Sequence, residues 1–210
     1  IPHAGLYACT VSNAVSTIDS QSARLSFVLA PSITRHPQPQ TVNIGETAAF
    51  NVTASGNGTI QYEWSHDGEP LPTSTRHTLT LKEVTSADAG TYACRVFNQA
   101  GEIVSNSVLL TVVTPPEIVV QPEDQVVETG APLLLSIEAG GVGPFTYQWI
   151  FNDMPIPGAM ESTLSIPSMT AENEGTYACL VTNSAGTTPT LPFSLTLTVV
   201  GEGEGEGEGE

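Results

Sequence analysis

Gly90-Thr91-Tyr92-Ala93-Cys94 decides the fold, because the chain repeats it on either side, as Gly5-Leu6-Tyr7-Ala8-Cys9 and as Gly175-Thr176-Tyr177-Ala178-Cys179. The three stretches are evenly spaced: Cys9 to Cys94 and Cys94 to Cys179 are the same interval. That interval also relates Trp64 to Trp149, Gly45 to Gly130, Pro37 to Pro122, Pro31 to Pro116 and Asn98 to Asn183. A period held this strictly marks tandem copies of one structural unit. Two complete copies are expected over residues 31–114 and 115–200, preceded by a C-terminal remnant of another over 1–30. A Gly-Glu run, residues 201–210, follows as a low-complexity tail or linker that repels itself and cannot build a core.

Outward from Cys94, short runs alternate apolar and polar residues and are separated by Gly, Pro, Asn and Asp, the pattern of an all-β sandwich. Phe50 and Val52 point one way, Tyr62 and Trp64 share a face, and Asp67-Gly68-Glu69-Pro70 turns the chain. Leu79, Leu81 and Val84 follow, then a corner at 86–90, a strand with Tyr92, Cys94 and Val96 inward, and a hairpin turn at Asn98-Gln99-Ala100-Gly101. The second copy repeats the series through Leu135, Ile137, Tyr147, Trp149, Leu164, Ile166, Tyr177 and Cys179, with about two extra residues before Thr198-Val199-Val200. No segment carries a helical period. The predicted fold class is all-β: tandem sandwiches of two antiparallel sheets in Greek-key order.

The composition narrows the function classes. Lys and Arg number 5 against 22 acidic residues, for a net charge of −17. Five of those acids lie in the Gly-Glu run; taking them off −17 leaves −12 for the rest. Lys82 is the only lysine and there is no basic patch, which sets nucleic acid aside as a partner. No run of eighteen apolar residues appears, so direct membrane insertion of this segment is not expected. The chain opens at Ile1 in mid-repeat, with no initiator Met and no signal peptide, and reads as a piece of something longer.

The series Trp, Leu-x-Leu/Ile, Asp/Asn-x-Gly-x-Tyr-x-Cys, Asn-x-Ala-Gly resembles the immunoglobulin superfamily, in particular its intermediate set, twice over residues 31–200. The resemblance implies that Trp64 and Trp149 are the core tryptophans of strand C. It makes Tyr92 and Tyr177 the corner tyrosines of strand F, with Asp88, Asn173 and His3 at the matching corner position. The departure is at strand B. Counting back by one equal step, from Trp64 to Val52 and from Trp149 to Ile137, finds aliphatic residues where the family usually has a cysteine. Cys94 and Cys179 are therefore expected as free, buried, inert thiols. The structural core is Val52, Trp64, Tyr92, Cys94, Ile137, Trp149, Tyr177 and Cys179. Disulfide-free copies of this family occur in muscle-type intracellular arrays and in large bacterial surface proteins, and the acidic, lysine-poor composition favours the second.

No catalytic constellation is legible. His3, His36, His66 and His77 show no metal-ligand spacing, and no nucleophile elbow, phosphate loop or dinucleotide fingerprint is present. The expectation is a non-enzyme with no cofactor and no metal. Glu123-Asp124 and Asp67-Gly68-Glu69 read as solvated turn charges, with weak calcium binding as the alternative. Asn51-Val52-Thr53 and Asn57-Gly58-Thr59 both match the N-glycosylation pattern, and alternation turns Asn51 outward. Phe97, Ile150 and Leu180 fall on the outward side of strands F and C and form a speculative interaction face.

The junctions Ala30-Pro31-Ser32 and Thr114-Pro115-Pro116 contain no flexible Gly/Ser stretch, and proline restricts its own backbone. The leading expectation is a semi-rigid spacer or adhesion array in a larger cell-surface or secreted protein, with neighbouring immunoglobulin-like domains or another protein as partner. A muscle-type intracellular scaffold and accessory domains of a larger enzyme are the alternatives.

Overall fold

A computed structural model describes residues 3–198. The described chain falls into two compact units, one running up to Thr41 and including Glu46–Thr111, the other made of Val42–Gly45 and the chain from Val112 onward. The Gly-Glu run lies outside the described residues. Both units are built of β-strands, with single 3-10 turns at Ser86–Asp88 and Ala171–Asn173.

In the first complete copy one sheet has the order Glu69–Leu71, Gln61–His66, Gly90–Asn98, Val108–Val113, Gln40–Asn43, and Gly101–Val104 pairs along the far end of Gly90–Asn98. The opposing strands are Ala48–Asn51 paired with Thr78–Leu81, and Ser32–Arg35 paired with Thr53–Ser55. The second copy repeats the scheme through Met154–Pro155, Thr146–Phe151, Gly175–Asn183, Phe193–Thr198 and Gln125–Glu128. Its opposing pairs are Leu133–Ser136 with Thr163–Ile166 and Glu117–Val120 with Glu138–Gly140. The strand pairs of the second copy are antiparallel with one exception: Gln125–Glu128 runs parallel to Phe193–Thr198.

Alternation along the longest strands explains the core. In Gly90–Asn98 the residues Tyr92, Cys94 and Val96 are buried while their neighbours are not, since successive side chains leave a strand on opposite faces. Cys94 lies opposite Trp64, and Cys179 opposite Trp149. Both tryptophans are fully buried, and their only polar side-chain atom is satisfied: Trp64 Nε1 donates to Arg76 O at 2.9 Å and Trp149 Nε1 to Glu161 O at 3.0 Å. Val52 and Ile137 are buried too, and each falls at a break where its strand changes partner. Val52 N donates to His77 O at 2.9 Å, and Ile137 N to Ser162 O at 2.9 Å.

The period is stricter than the sequence expectation. Val108–Val113 and Phe193–Thr198 keep the interval that separates Cys94 from Cys179, so no extra residues precede the last strand of the second copy. Residues 3–30 form a two-part hairpin, Gly5–Tyr7 with Ala23–Leu25 and Thr10–Ser12 with Thr17–Asp19. The stretch matching the nine-residue strand Gly90–Asn98 forms two pieces here, Gly5–Tyr7 and Thr10–Ser12. Every described residue of this hairpin is exposed, including Cys9.

Candidate functional site

Three local devices, each present in more than one copy, shape the ends and faces of these domains. The first is the tyrosine corner. Tyr92 Oη donates to Asp88 O at 2.8 Å, Tyr177 Oη to Asn173 O at 3.0 Å and Tyr7 Oη to His3 O at 2.6 Å. The acceptor is always a backbone carbonyl, so the corner tolerates Asp, Asn or His at that place. The Asp88 and Asn173 side chains do something else. Each takes two bonds from the threonine three residues back, Thr85 at 2.7 Å for both, and Thr170 at 3.0 and 2.9 Å.

The second device accounts for the glycines two residues before Tyr92 and Tyr177. Asp67 Oδ1 accepts from Thr91 N at 2.7 Å and from Thr91 Oγ1 at 2.9 Å, and Asn152 Oδ1 accepts from Thr176 N at 2.9 Å. To reach those groups the side chains lie over Gly90 and Gly175, which hold φ of +149° and +154°. A Cβ on Gly90 would meet Asp67 Oδ2 at 2.6 Å, and one on Gly175 would meet Asn152 Oδ1 at 2.5 Å. Asp67 is therefore not merely a solvated turn charge. The two Thr91 bonds hold its carboxyl below the usual carboxylate range. Asp124 is likewise engaged, its Oδ1 accepting from Ser194 N at 2.6 Å.

The third device holds the segment between copies. Asn98 Nδ2 donates to Leu29 O at 2.7 Å and to Asn57 O at 3.1 Å. Asn183 Nδ2 donates to Thr114 O at 2.7 Å and to Val142 O at 3.0 Å. The hairpin glycine that follows each asparagine leaves room for the joining segment: a Cβ on Gly101 would lie 3.2 Å from Ala30 Cβ, and one on Gly186 would lie 3.3 Å from Pro115 Cγ. Thr188 Oγ1 adds a bond to Pro116 O at 2.6 Å, and Pro31 and Pro116 are both buried.

A further sequence signal is the Ser20, Ser105, Thr190 series at the repeat interval. Each hydroxyl oxygen accepts the backbone N–H of the preceding cysteine, Cys9, Cys94 or Cys179, at 2.9 Å. In return each Ser or Thr N–H bonds the cysteine carbonyl at 2.8 to 2.9 Å. In the first complete copy these reciprocal bonds carry the last strand past the gap in the ladder between Gly101–Val104 and Val108–Val113.

On the outward face Phe97 is half-buried because the Arg95 guanidinium sits 4.5 Å above its ring. Arg95 also bonds Glu63 at 3.0 Å and pairs with Glu102. In the second copy Ile150 lies opposite Ala178 and Pro155, and Leu180 opposite Gln148 and Pro189. Ile150 and Leu180 are thus diagonal rather than direct neighbours, each half-buried. Phe97 belongs to the other copy.

The thiols of Cys94 and Cys179 are buried and unpaired, and burial pushes both up to about 11, against a smaller opposing effect of a backbone hydrogen bond. The histidines are used singly. His66 stacks on Tyr92 at 4.5 Å, and His36 Nδ1 accepts from Asn106 N at 3.0 Å. Among the described residues no group of three or more His, Cys, Asp or Glu is placed to hold a metal ion, and no helix is long and apolar enough to cross a membrane.

Comparison with known proteins gives this architecture its context. The immunoglobulin I-set domain family matches residues 31–112, and an immunoglobulin domain family matches 115–183. Human leucine-rich repeats and immunoglobulin-like domains protein 1 is 31% identical over 202 residues, which is 88% of this chain and 18% of that protein. Mouse Roundabout homolog 1 is 31% identical over 202 residues, 87% of this chain and 12% of the relative. The chain thus spans less than a fifth of the length of either. Among solved structures, three immunoglobulin domains of titin superpose with a TM-score of 0.66 at 23% identity, over 94% of this chain and 76% of that one, a likeness of fold. Human cell adhesion molecule DSCAML1 is 30% identical over 200 residues, 86% of this chain and 10% of that protein. This chain consists of tandem immunoglobulin-superfamily domains related to eukaryotic adhesion proteins.

Proposed function

We propose that this chain is a semi-rigid spacer and protein-contact segment of a larger cell-surface or secreted protein, with domains at 31–114 and 115–200, a strand F–G remnant at 1–30 and a linker at 201–210. The observation that carries the reading is the repeated asparagine clamp, Asn98 on Leu29 O and Asn183 on Thr114 O. A joining segment that is proline-restricted and hydrogen-bonded into the following domain loses the freedom a Gly/Ser linker keeps. The partner is another protein or a neighbouring immunoglobulin-like domain, contacted through the outward face that carries Phe97 in one copy and Ile150 with Leu180 in the other. The relatives named above are animal proteins, which supports an animal cell-surface setting over the bacterial surface array that the composition suggested.

Backbone relaxation measured by NMR at Leu29 and Thr114 tests the spacer reading. Both amides are expected to be as ordered as strand amides, and Asn98→Ala and Asn183→Ala each to loosen the segment clamped. Fast motion at both sites in the unaltered chain would overturn it. For the contact face, an Ile150→Asp, Leu180→Asp double variant is expected to weaken self-association or partner capture, and unchanged association would remove that part.

A further inference from the structure

We propose that Asn51 is an N-glycan acceptor and that Asn57, the other residue in an Asn-x-Thr setting, is not. The two lie close in the chain and share the Asn-x-Thr motif, so the motif alone does not separate them. Their surroundings differ. Asn51 closes the strand Ala48–Asn51 and is exposed; the intervening Val52 is fully buried, so Asn51 and Thr53 both emerge on the outer face. Its Nδ2 donates one hydrogen bond, to Thr78 Oγ1 at 2.8 Å, and the residues beside it on that face, Ala49 and Thr80, are small and exposed.

Glycan transfer suits that arrangement. The amide nitrogen attacks the anomeric carbon of a lipid-pyrophosphate-linked oligosaccharide, forming a C–N bond as the C–O bond to pyrophosphate breaks. The lipid pyrophosphate leaves with the electron pair, and one amide proton passes to a base. One N–H remains on Asn51, enough to keep the bond to Thr78.

Asn57 has no such freedom. Its Nδ2 donates to Phe27 O at 2.6 Å, its Oδ1 accepts from Leu29 N at 2.5 Å, and its own carbonyl accepts from Asn98. The next residue, Gly58, holds φ of +77°, and a Cβ there would lie 3.2 Å from Val28 Cγ1. Both ends of the amide thus grip residues 27–29, and a sugar on Nδ2 would occupy the path of that segment. In the second copy Ser136 and Val142 stand at the matching positions, so the glycan would mark one domain only. It would cover the face formed by Ala48–Asn51 and Thr78–Leu81, leaving the opposite face of that domain, with Arg95 and Phe97, for contact.

The natural setting of this glycan rests on the extracellular reading, whereas the test supplies the secretory route itself. The 210-residue chain is secreted from mammalian cells behind an added signal peptide, then released from glycan by an amidase in heavy-oxygen water and mapped by peptide mass spectrometry. The expected result is a heavy-oxygen mark at Asn51, none at Asn57, and loss of the single glycan in Asn51→Gln and, with the asparagine intact, in Thr53→Ala. A mark at Asn57, or none at Asn51 in protein that reaches the medium, overturns the inference.

Discussion

Asp67 and Asn152 make the same bond with different charge: Asp67 Oδ1 accepts Thr91 N–H at 2.7 Å, and Asn152 Oδ1 accepts Thr176 N–H at 2.9 Å. The substitution recurs at the corner, where Asp88 in one copy answers Asn173 in the other. The first copy thus entrusts to carboxylates what the second entrusts to neutral amides. Hydrogen bonds from Thr91 and from Thr85 hold the Asp67 and Asp88 carboxyls below their ordinary range. A folded pKa lower than the unfolded one means the stabilisation is complete above about pH 4 and is lost as pH falls through the folded value. We expect Asp67→Asn with Asp88→Asn to flatten the acid dependence of the first copy below about pH 4 while leaving the second unchanged, as read by hydrogen exchange at Thr91 and Thr176 across the range. An equal acid response with and without the substitutions would contradict it.

Gly90→Ala and Gly175→Ala are expected to be among the more damaging small substitutions. Each puts a side chain at a positive φ and drives a Cβ into the Asp67 or Asn152 side chain. Such strain costs on the order of 1–3 kcal/mol. Thermal unfolding of each variant should show a lowered midpoint. Gly45→Ala, where nothing lies within 4 Å of the added carbon, should cost less because only the backbone strain remains.

Ser105→Ala removes the acceptor for the buried Cys94 N–H, and Thr190→Val does the same for Cys179. An unsatisfied buried donor costs about 1–3 kcal/mol. Thr190→Ser keeps the oxygen and should be nearly silent. Equal loss in the Val and Ser variants would mean that the methyl group, rather than the hydrogen bond, matters at that site.

Thiol chemistry separates the three cysteines. Cys9 is exposed, so a maleimide should label it rapidly in the native state. Cys94 and Cys179 are fully buried and pushed up to about 11, which suppresses the reactive thiolate. They should react only on unfolding, and added reductant should leave the unfolding midpoint where it was. Rapid native labelling at all three positions would be inconsistent with this packing.

Much of the architecture could be read from one interval. A short phrase recurring at Cys9, Cys94 and Cys179, with tryptophan, proline and asparagine in step, is enough for tandem all-β copies. Period-two alternation then says that Tyr92, Cys94 and Val96 share a face. The Ser20, Ser105, Thr190 series was equally visible and needed only to be lined up at the same spacing. Phe97 shows the limit of alternation. Facing outward does not leave a side chain wholly exposed, because Arg95, two positions back on the same face, covers one side of its ring.

Residue order alone therefore settles what repeats locally: the copies, their strands and which side of each strand is apolar. Those properties follow from backbone geometry and side-chain type, both carried by neighbouring residues. Folding was needed to reveal what distant residues do for one another. Asn57 and Asn98 grip a segment 28 to 69 residues upstream, and Asp67 reaches 24 residues forward to shape a strand end. Asn51 stays open while Asn57 in the same motif is occupied. A hydrogen bond depends on the position of its atoms in space far more finely than on their order along the chain, and only the folded chain supplies that position.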